Sequence, residues 1–138
     1  MKFKGKISKW FYVVMISIFI VYIPLIVMFS LGDNLILSIL LSIITLVLEI
    51  YCISIILRNY VLLKEEYMQV ACGFLNKKIY YDNISFIENK KTVENGTAAS
   101  FDRIEITCKN GYYCVISLIE KEKFIEELLN KNPNIKIK

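Results

Sequence analysis

The chain has 138 residues, 56% of them hydrophobic, with a formal charge of +4 and no histidine. A single soluble domain of this length has too much surface for its volume to hide so much apolar matter, and the excess is local, falling before Arg58. From Arg58 onward 13 basic and 11 acidic residues are intermixed, which lacks the one-signed footprint of a nucleic-acid binder.

Residues 1–9 form a basic tip carrying Lys2, Lys4, Lys6 and Lys9. Trp10 to Leu31 then runs without a charge, and at about 1.5 Å per residue a helix over it spans roughly 33 Å, the thickness of a hydrocarbon core. The run is too long for a signal peptide, and no small-residue cleavage site follows. Gly32-Asp33-Asn34 reads as a compact turn. Leu35 to Leu57 is a second apolar run, broken by Glu49. Residues 10–57 are therefore expected to form an antiparallel transmembrane hairpin, kinked at Pro24. Lysines precede the first helix, Arg58 and Lys64 follow the second, and the turn has no basic residue. By the positive-inside rule both termini are cytoplasmic, with Trp10, Phe11 and Tyr12 as an interfacial aromatic belt.

A carboxylate among lipid chains is costly and marks a functional candidate. Antiparallel pairing about the turn sets Ser17 opposite Glu49. The plain reading is a hydrogen bond to Ser17, or to a second copy in a homo-oligomer, acting as packing glue; the sharper one is a proton- or ligand-sensing group.

Residues 58–138 change to strand periodicity. Short strands are expected over Asn59–Lys64, Tyr67–Cys72, Phe74–Tyr81 and Ile84–Glu88. The polar stretch Asn89–Ala99 is expected to be a mobile loop. Asp102–Lys109 and Tyr112–Ser117 flank Asn110-Gly111, the pair favoured in a two-residue type I′ turn. That register puts Cys108 opposite Tyr113 and Ile106 opposite Val115, with Cys108 and Cys114 on opposite faces. Ser117 and Glu120 form a capping box for a helix whose apolar stripe is Phe124, Ile125, Leu128 and Leu129, ended by Asn132-Pro133. The fold class is thus a membrane α-helical hairpin plus an α+β or all-β domain of about six antiparallel strands and a C-terminal amphipathic helix. Cys52, Cys72, Cys108 and Cys114 have no metal-site spacing and read as buried filler.

The segments Ser100-Phe-Asp-Arg-Ile-Glu-Ile106, Asn110-Gly111, Ile116-Ser117, Lys123-Phe-Ile-Glu-Glu-Leu-Leu129 and Asn132-Pro133-Asn134 closely resemble the C-terminal signature of the bacterial PH-domain family typified by the YyaB-like proteins. Those proteins are similar in layout, with two hydrophobic segments before a short PH-like domain. The resemblance implies a PH-like sheet and helix, in a bacterial cytoplasmic membrane, and carries over no catalytic or ligand-binding residue. Asp102 and Arg103 match its motif, where a charge pair or hydrogen bonds fixing the loop before the hairpin is the expected role.

Three function classes compete. The first is a membrane-tethered module binding a protein or peptide, with self-protection against a membrane-active bacteriocin as one version. The second is an anionic-lipid sensor using Lys77, Lys78, Lys90 and Lys91. An enzyme has no support: there is no phosphate loop, no nucleophile elbow and no cysteine beside a base. No cofactor or metal is expected.

Overall fold

The computed structural model describes residues 1–32, 34–91 and 99–138, with the backbone alone at 90 and 91. Two helices, α1 (Lys9–Leu31) and α2 (Leu35–Leu57), form an antiparallel pair. Both are long and apolar enough to cross a membrane. Pro24 lies within α1 without ending it. On α2 the seam toward α1 is small and polar: Ser38, Thr45 and Glu49 are buried there. The hydroxyls are satisfied within the pair, Thr45 donating to the Leu41 carbonyl at 2.8 Å and Ser38 meeting Ser30 at 2.7 Å. Small hydroxyl residues let two backbones approach closely in lipid. The outward faces are apolar, with Val13, Ile20, Val27, Ile36, Ile43 and Val47 exposed, a sheath too large to leave in water.

The remaining elements, in chain order, are β1 (Lys2–Lys4), β2 (Asn59–Leu63), β3 (Tyr67–Cys72), β4 (Leu75–Tyr80), β5 (Ile84–Lys91), β6 (Asp102–Cys108), β7 (Tyr113–Ile116), α3 (Lys121–Lys131) and β8 (Lys136–Ile137). The eight strands among the described residues make two sheets, β1-β2-β3-β4 and β7-β6-β5-β8. Every pairing is antiparallel except β5 with β8. The sheets and α3 enclose one core, in which Phe3, Met68, Ile87, Ile104, Ile106, Phe124 and Leu128 are fully buried. Phe124 and Leu128 come from the expected apolar stripe of α3, with Ile125 and Leu129 packed beside them.

Two of the eight strands lie outside the six expected, and β1 matters most. The basic tip is not a loose topology signal, because Lys2–Lys4 pairs antiparallel with β2, Phe3 opposite Val61. Phe3 reaches the core and meets Phe124 edge to face, centroids 5.4 Å apart. β1 and β2 are therefore a β-hairpin whose connection is the whole of α1 and α2. The chain continues past β1 along the other sheet: the Lys6 amide donates to the Ser117 carbonyl at 2.9 Å and the Ile119 amide to the Lys4 carbonyl at 3.1 Å.

That pairing displaces the expected capping box. The Ser117 hydroxyl donates to the Asp102 carbonyl at 2.6 Å, and α3 starts at Lys121 after Glu120 with no side-chain cap. The β6–β7 turn also differs from expectation. Asn110 does not adopt positive φ, which type I′ requires, while Gly111 does at 79°. The Gly111 amide donates to the Cys108 carbonyl and the Cys108 amide to the Tyr112 carbonyl, so the loop has three residues, Lys109 to Gly111, with glycine in the left-handed bulge position. The register shifts by one, Ile106 facing Cys114 and Ile104 facing Ile116. Every β7 side chain changes face, and Cys114 joins Cys108 in the core. The expected mobile loop is partly strand, β5 running to Lys91; its residues 92–98 lie outside the described residues.

All four cysteines are free. Burial pushes the Cys114 thiol up to about 11, and raises Cys72 and Cys108 as well. The thiolate is the reactive form, so maleimide near neutral pH is expected to leave these three unlabelled, by mass spectrometry, until denaturant is added. Fast labelling of Cys114 in the folded protein would contradict the core placement.

Candidate functional site

The chemistry-bearing contacts gather where the helices meet the sheets. After β1 the chain must turn into α1, and residues 5–11 do so against Ala99–Arg103. The Ser8 amide donates to the Ala99 carbonyl at 2.9 Å, and its hydroxyl to Ser100 Oγ at 2.7 Å. The Asp102 carboxylate takes Lys6 Nζ at 2.9 Å and Lys121 Nζ at 3.0 Å. The Arg103 guanidinium is buried and donates through Nε to the Ser100 carbonyl at 2.7 Å. Trp10, in the first turn of α1, stacks on Phe101 with centroids 5.0 Å apart. Ser100, Phe101 and Asp102 thus hold the entrance to α1 through a hydroxyl–hydroxyl hydrogen bond, a ring stack and an ion pair, while Arg103 bonds back to Ser100.

A second set of contacts holds the exit of α2. Ile55 packs with Cys72 and Ala99, and with Ile7 and Phe11 beside them. The Gly73 amide donates to the Arg58 carbonyl at 2.7 Å. Gly73 has φ +57°, and a Cβ there would stand 2.7 Å from Ser54 Oγ. The β3–β4 turn therefore lies directly against the last turn of α2, at a spacing only glycine permits.

Hydrogen bonds from Lys6 first and Lys121 second hold the Asp102 carboxyl below its usual range, against a smaller effect of burial. With its folded value depressed, Asp102 contributes stability that is full above its unfolded value near 4 and is lost as pH falls through the lower folded value. The side chain is 36% exposed, so water screens both pairs, and Asp102→Asn is expected to cost about 1 kcal/mol at neutral pH. That difference should vanish in thermal melts taken at strongly acid pH; a difference independent of pH would rule the ion pairs out as its source.

The other residues singled out from sequence fall elsewhere. Glu49 is buried in the α1–α2 seam, but neither carboxylate oxygen has a hydrogen-bond partner among the described residues. Ser17 is exposed and donates to the Val14 carbonyl at 2.7 Å. The expected Ser17–Glu49 bond is thus not formed, because the half-buried face of α1 runs through Met15, Ile18 and Tyr22 and turns Ser17 outward. Lys77 and Lys78 stand on β4, Nζ at 5.0 Å from the Tyr112 ring centroid and 5.4 Å from that of Tyr67. Lys90 and Lys91 end β5 opposite Arg103 and Asp102; their side chains lie outside the described residues. Sequence reasoning missed Lys6, Ser8, Trp10, Phe101 and Lys121 as partners. The signal that was available is the alternation Lys2-Phe3-Lys4, polar-apolar-polar, a strand pattern inside what reads as a charge cluster.

Comparison with protein-family models matches residues 58–132 to the bacterial PH domain. Comparison with curated proteins finds no match. Among solved structures the chain is similar to the C-terminal domain of an unknown protein from Leishmania infantum, at 15% identity and a TM-score of 0.42, over 52% of this chain and 65% of that one. The family match leaves out β1, both apolar helices and β8. More than half of the chain is covered by the match, and the protein belongs to the bacterial PH-domain family.

Proposed function

We propose that this protein is a binding module fixed to the inner face of a bacterial cytoplasmic membrane, which offers a free sheet edge to an extended segment of a protein or peptide. PH domains are in general binding modules, not catalysts. In this reading α1 and α2 span the bilayer and both termini are cytoplasmic, in keeping with the lysine-bearing flanks. The observation that carries the proposal is β4. It is paired on one side only, and five of its six residues are exposed. An open edge presents unpaired amides and carbonyls on which a partner strand can add. The outer side of β1, by contrast, is covered by Ser117–Ile119, and β7 is buried from Cys114 to Ile116. Lys77 and Lys78 favour a segment with acidic side chains. Self-protection against a membrane-active bacteriocin is one such role.

The anionic-lipid alternative is less well supported for these lysines. Of their ring partners, Tyr112 follows β6 and Tyr67 opens β3, both at the strand ends away from the joint. Seven residues of β6 put that end roughly 20 Å from the helices.

A photoreactive residue at position 76 of the full-length protein, in native membranes, tests the proposal. One discrete cross-linked protein or peptide is expected, lost on Lys77→Glu with Lys78→Glu and not seen from position 126 on α3. Bacteriocin should compete for that cross-link if it is the partner. Equal capture from both positions, or capture of lipid alone, would sink the idea.

A further inference from the structure

Resting on the reading that α1 and α2 cross the bilayer, the geometry points to the Gly73-Phe74 turn and Phe101 as a membrane-seating surface, pressed into the headgroup boundary of the same bilayer. Phe74 is 63% exposed and Phe101 40%, although each is a large apolar ring. Their height is set by contacts already described. Gly73 lies against Ser54 and Ile55, in the last turn of α2 before Leu57, so its neighbour Phe74 stands level with the end of the helix. Phe101 stacks on Trp10, one residue into α1. The two exposed rings therefore flank the two helix ends, at the depth where aromatic side chains are preferred in a bilayer.

Charge at this level suits an anionic membrane surface. Lys9 and Arg58, which adjoin the ends of α1 and α2, are exposed. The neighbouring acid, Asp102, already holds Lys6 and Lys121. The occupant of this surface is thus the lipid interface itself: apolar rings below, cationic groups at the phosphates. The domain would sit on the membrane with the free edge of β4 rising away from it, since β4 runs from Leu75 beside the turn to Tyr80 at the far end.

The test uses full-length protein in vesicles of phosphatidylcholine and phosphatidylglycerol, some brominated near the headgroup and others near the chain ends. Trp10 is the sole tryptophan, so Trp10→Phe gives a silent background that keeps a ring on Phe101. Into it go Phe74→Trp, Tyr80→Trp or Ile43→Trp, one at a time. Position 43 is expected to lose most of its emission to deep bromines, position 74 to shallow ones, and position 80 to neither. If position 43 is quenched while position 74 is quenched no more than position 80, the seating surface is overturned and the spanning hairpin stands. If position 43 is not quenched either, the spanning reading falls and this inference with it.

Discussion

Phe3→Ala is expected to unfold much of the sheet domain while leaving the helical pair intact. The ring is fully buried and packs edge to face on Phe124, and Phe→Ala changes at such sites cost about 3–5 kcal/mol. A domain of this size has a total stability on the order of 4–12 kcal/mol, so the loss removes a large share of it. The damage should also spread. Without Phe3, β1 keeps its pairing with β2, the Met1–Leu63 bonds and the bonds to Ser117–Ile119, but loses the side chain that ties it to the core. Proteolysis of full-length protein in detergent, with maleimide labelling of Cys108 and Cys114 as a second readout, measures the effect. Phe3→Leu should lie between alanine and wild type. A Phe3→Ala protein as resistant and as unreactive as wild type would show that β1 is dispensable. A fragment beginning at Arg58 is expected to behave like the alanine variant or worse.

Glu49→Leu should act in the opposite direction and stabilise the helical pair, by about 2 kcal/mol. The Glu49 carboxyl group, with no hydrogen-bond partner among the described residues and enclosed by a neighbouring helix, costs desolvation without return. Leucine has similar bulk and no polar atoms to satisfy. Resistance of the full-length protein to heat or to added dodecyl sulfate reports the change. Ser17→Ala is the companion measurement, expected to have no effect because that hydroxyl bonds within its own helix. If Glu49→Leu weakened the pair and Ser17→Ala weakened it equally, the two residues would be partners after all. A stabilised Glu49→Leu protein that fails to support a cellular role would mark the carboxylate as kept for use and not for strength.

Much of this architecture was legible from residues alone, for physical reasons that differ by element. The apolar helices announce themselves because a run of some twenty almost wholly apolar residues has few other fates, and α2 begins and ends where the apolar run does. Strand β3 was equally plain, since Glu65-Glu66 and Gly73 bound a short apolar alternation. What failed was long-range. Nothing near Ser117 says that its hydroxyl is claimed by Asp102, or that the backbone there pairs with residues more than a hundred positions earlier. The Asn110-Gly111 register failed for a subtler reason: the same dipeptide serves a two-residue loop with two left-handed residues and a three-residue loop with one, and local sequence separates them poorly. The joint was half visible. The segment Ser100 to Arg103 stood out, but its partners Lys6 and Trp10 read as topology and anchoring residues, roles that lysine and tryptophan fill so often near membranes that a second role leaves no mark, and Ser8 carries no signal of its own.

The placement of both helices between β1 and β2 has a consequence for how the chain is made. β1 leaves the ribosome ahead of β2 and cannot pair with it until both helices between them have been synthesised. Were only one helix to cross the bilayer, β1 and β2 would be stranded on opposite sides and the core would lack Phe3. In the proposed spanning arrangement a completed domain therefore excludes a copy with one helix across, and such a copy is left open, with apolar strands on show for the quality-control proteases of the cell.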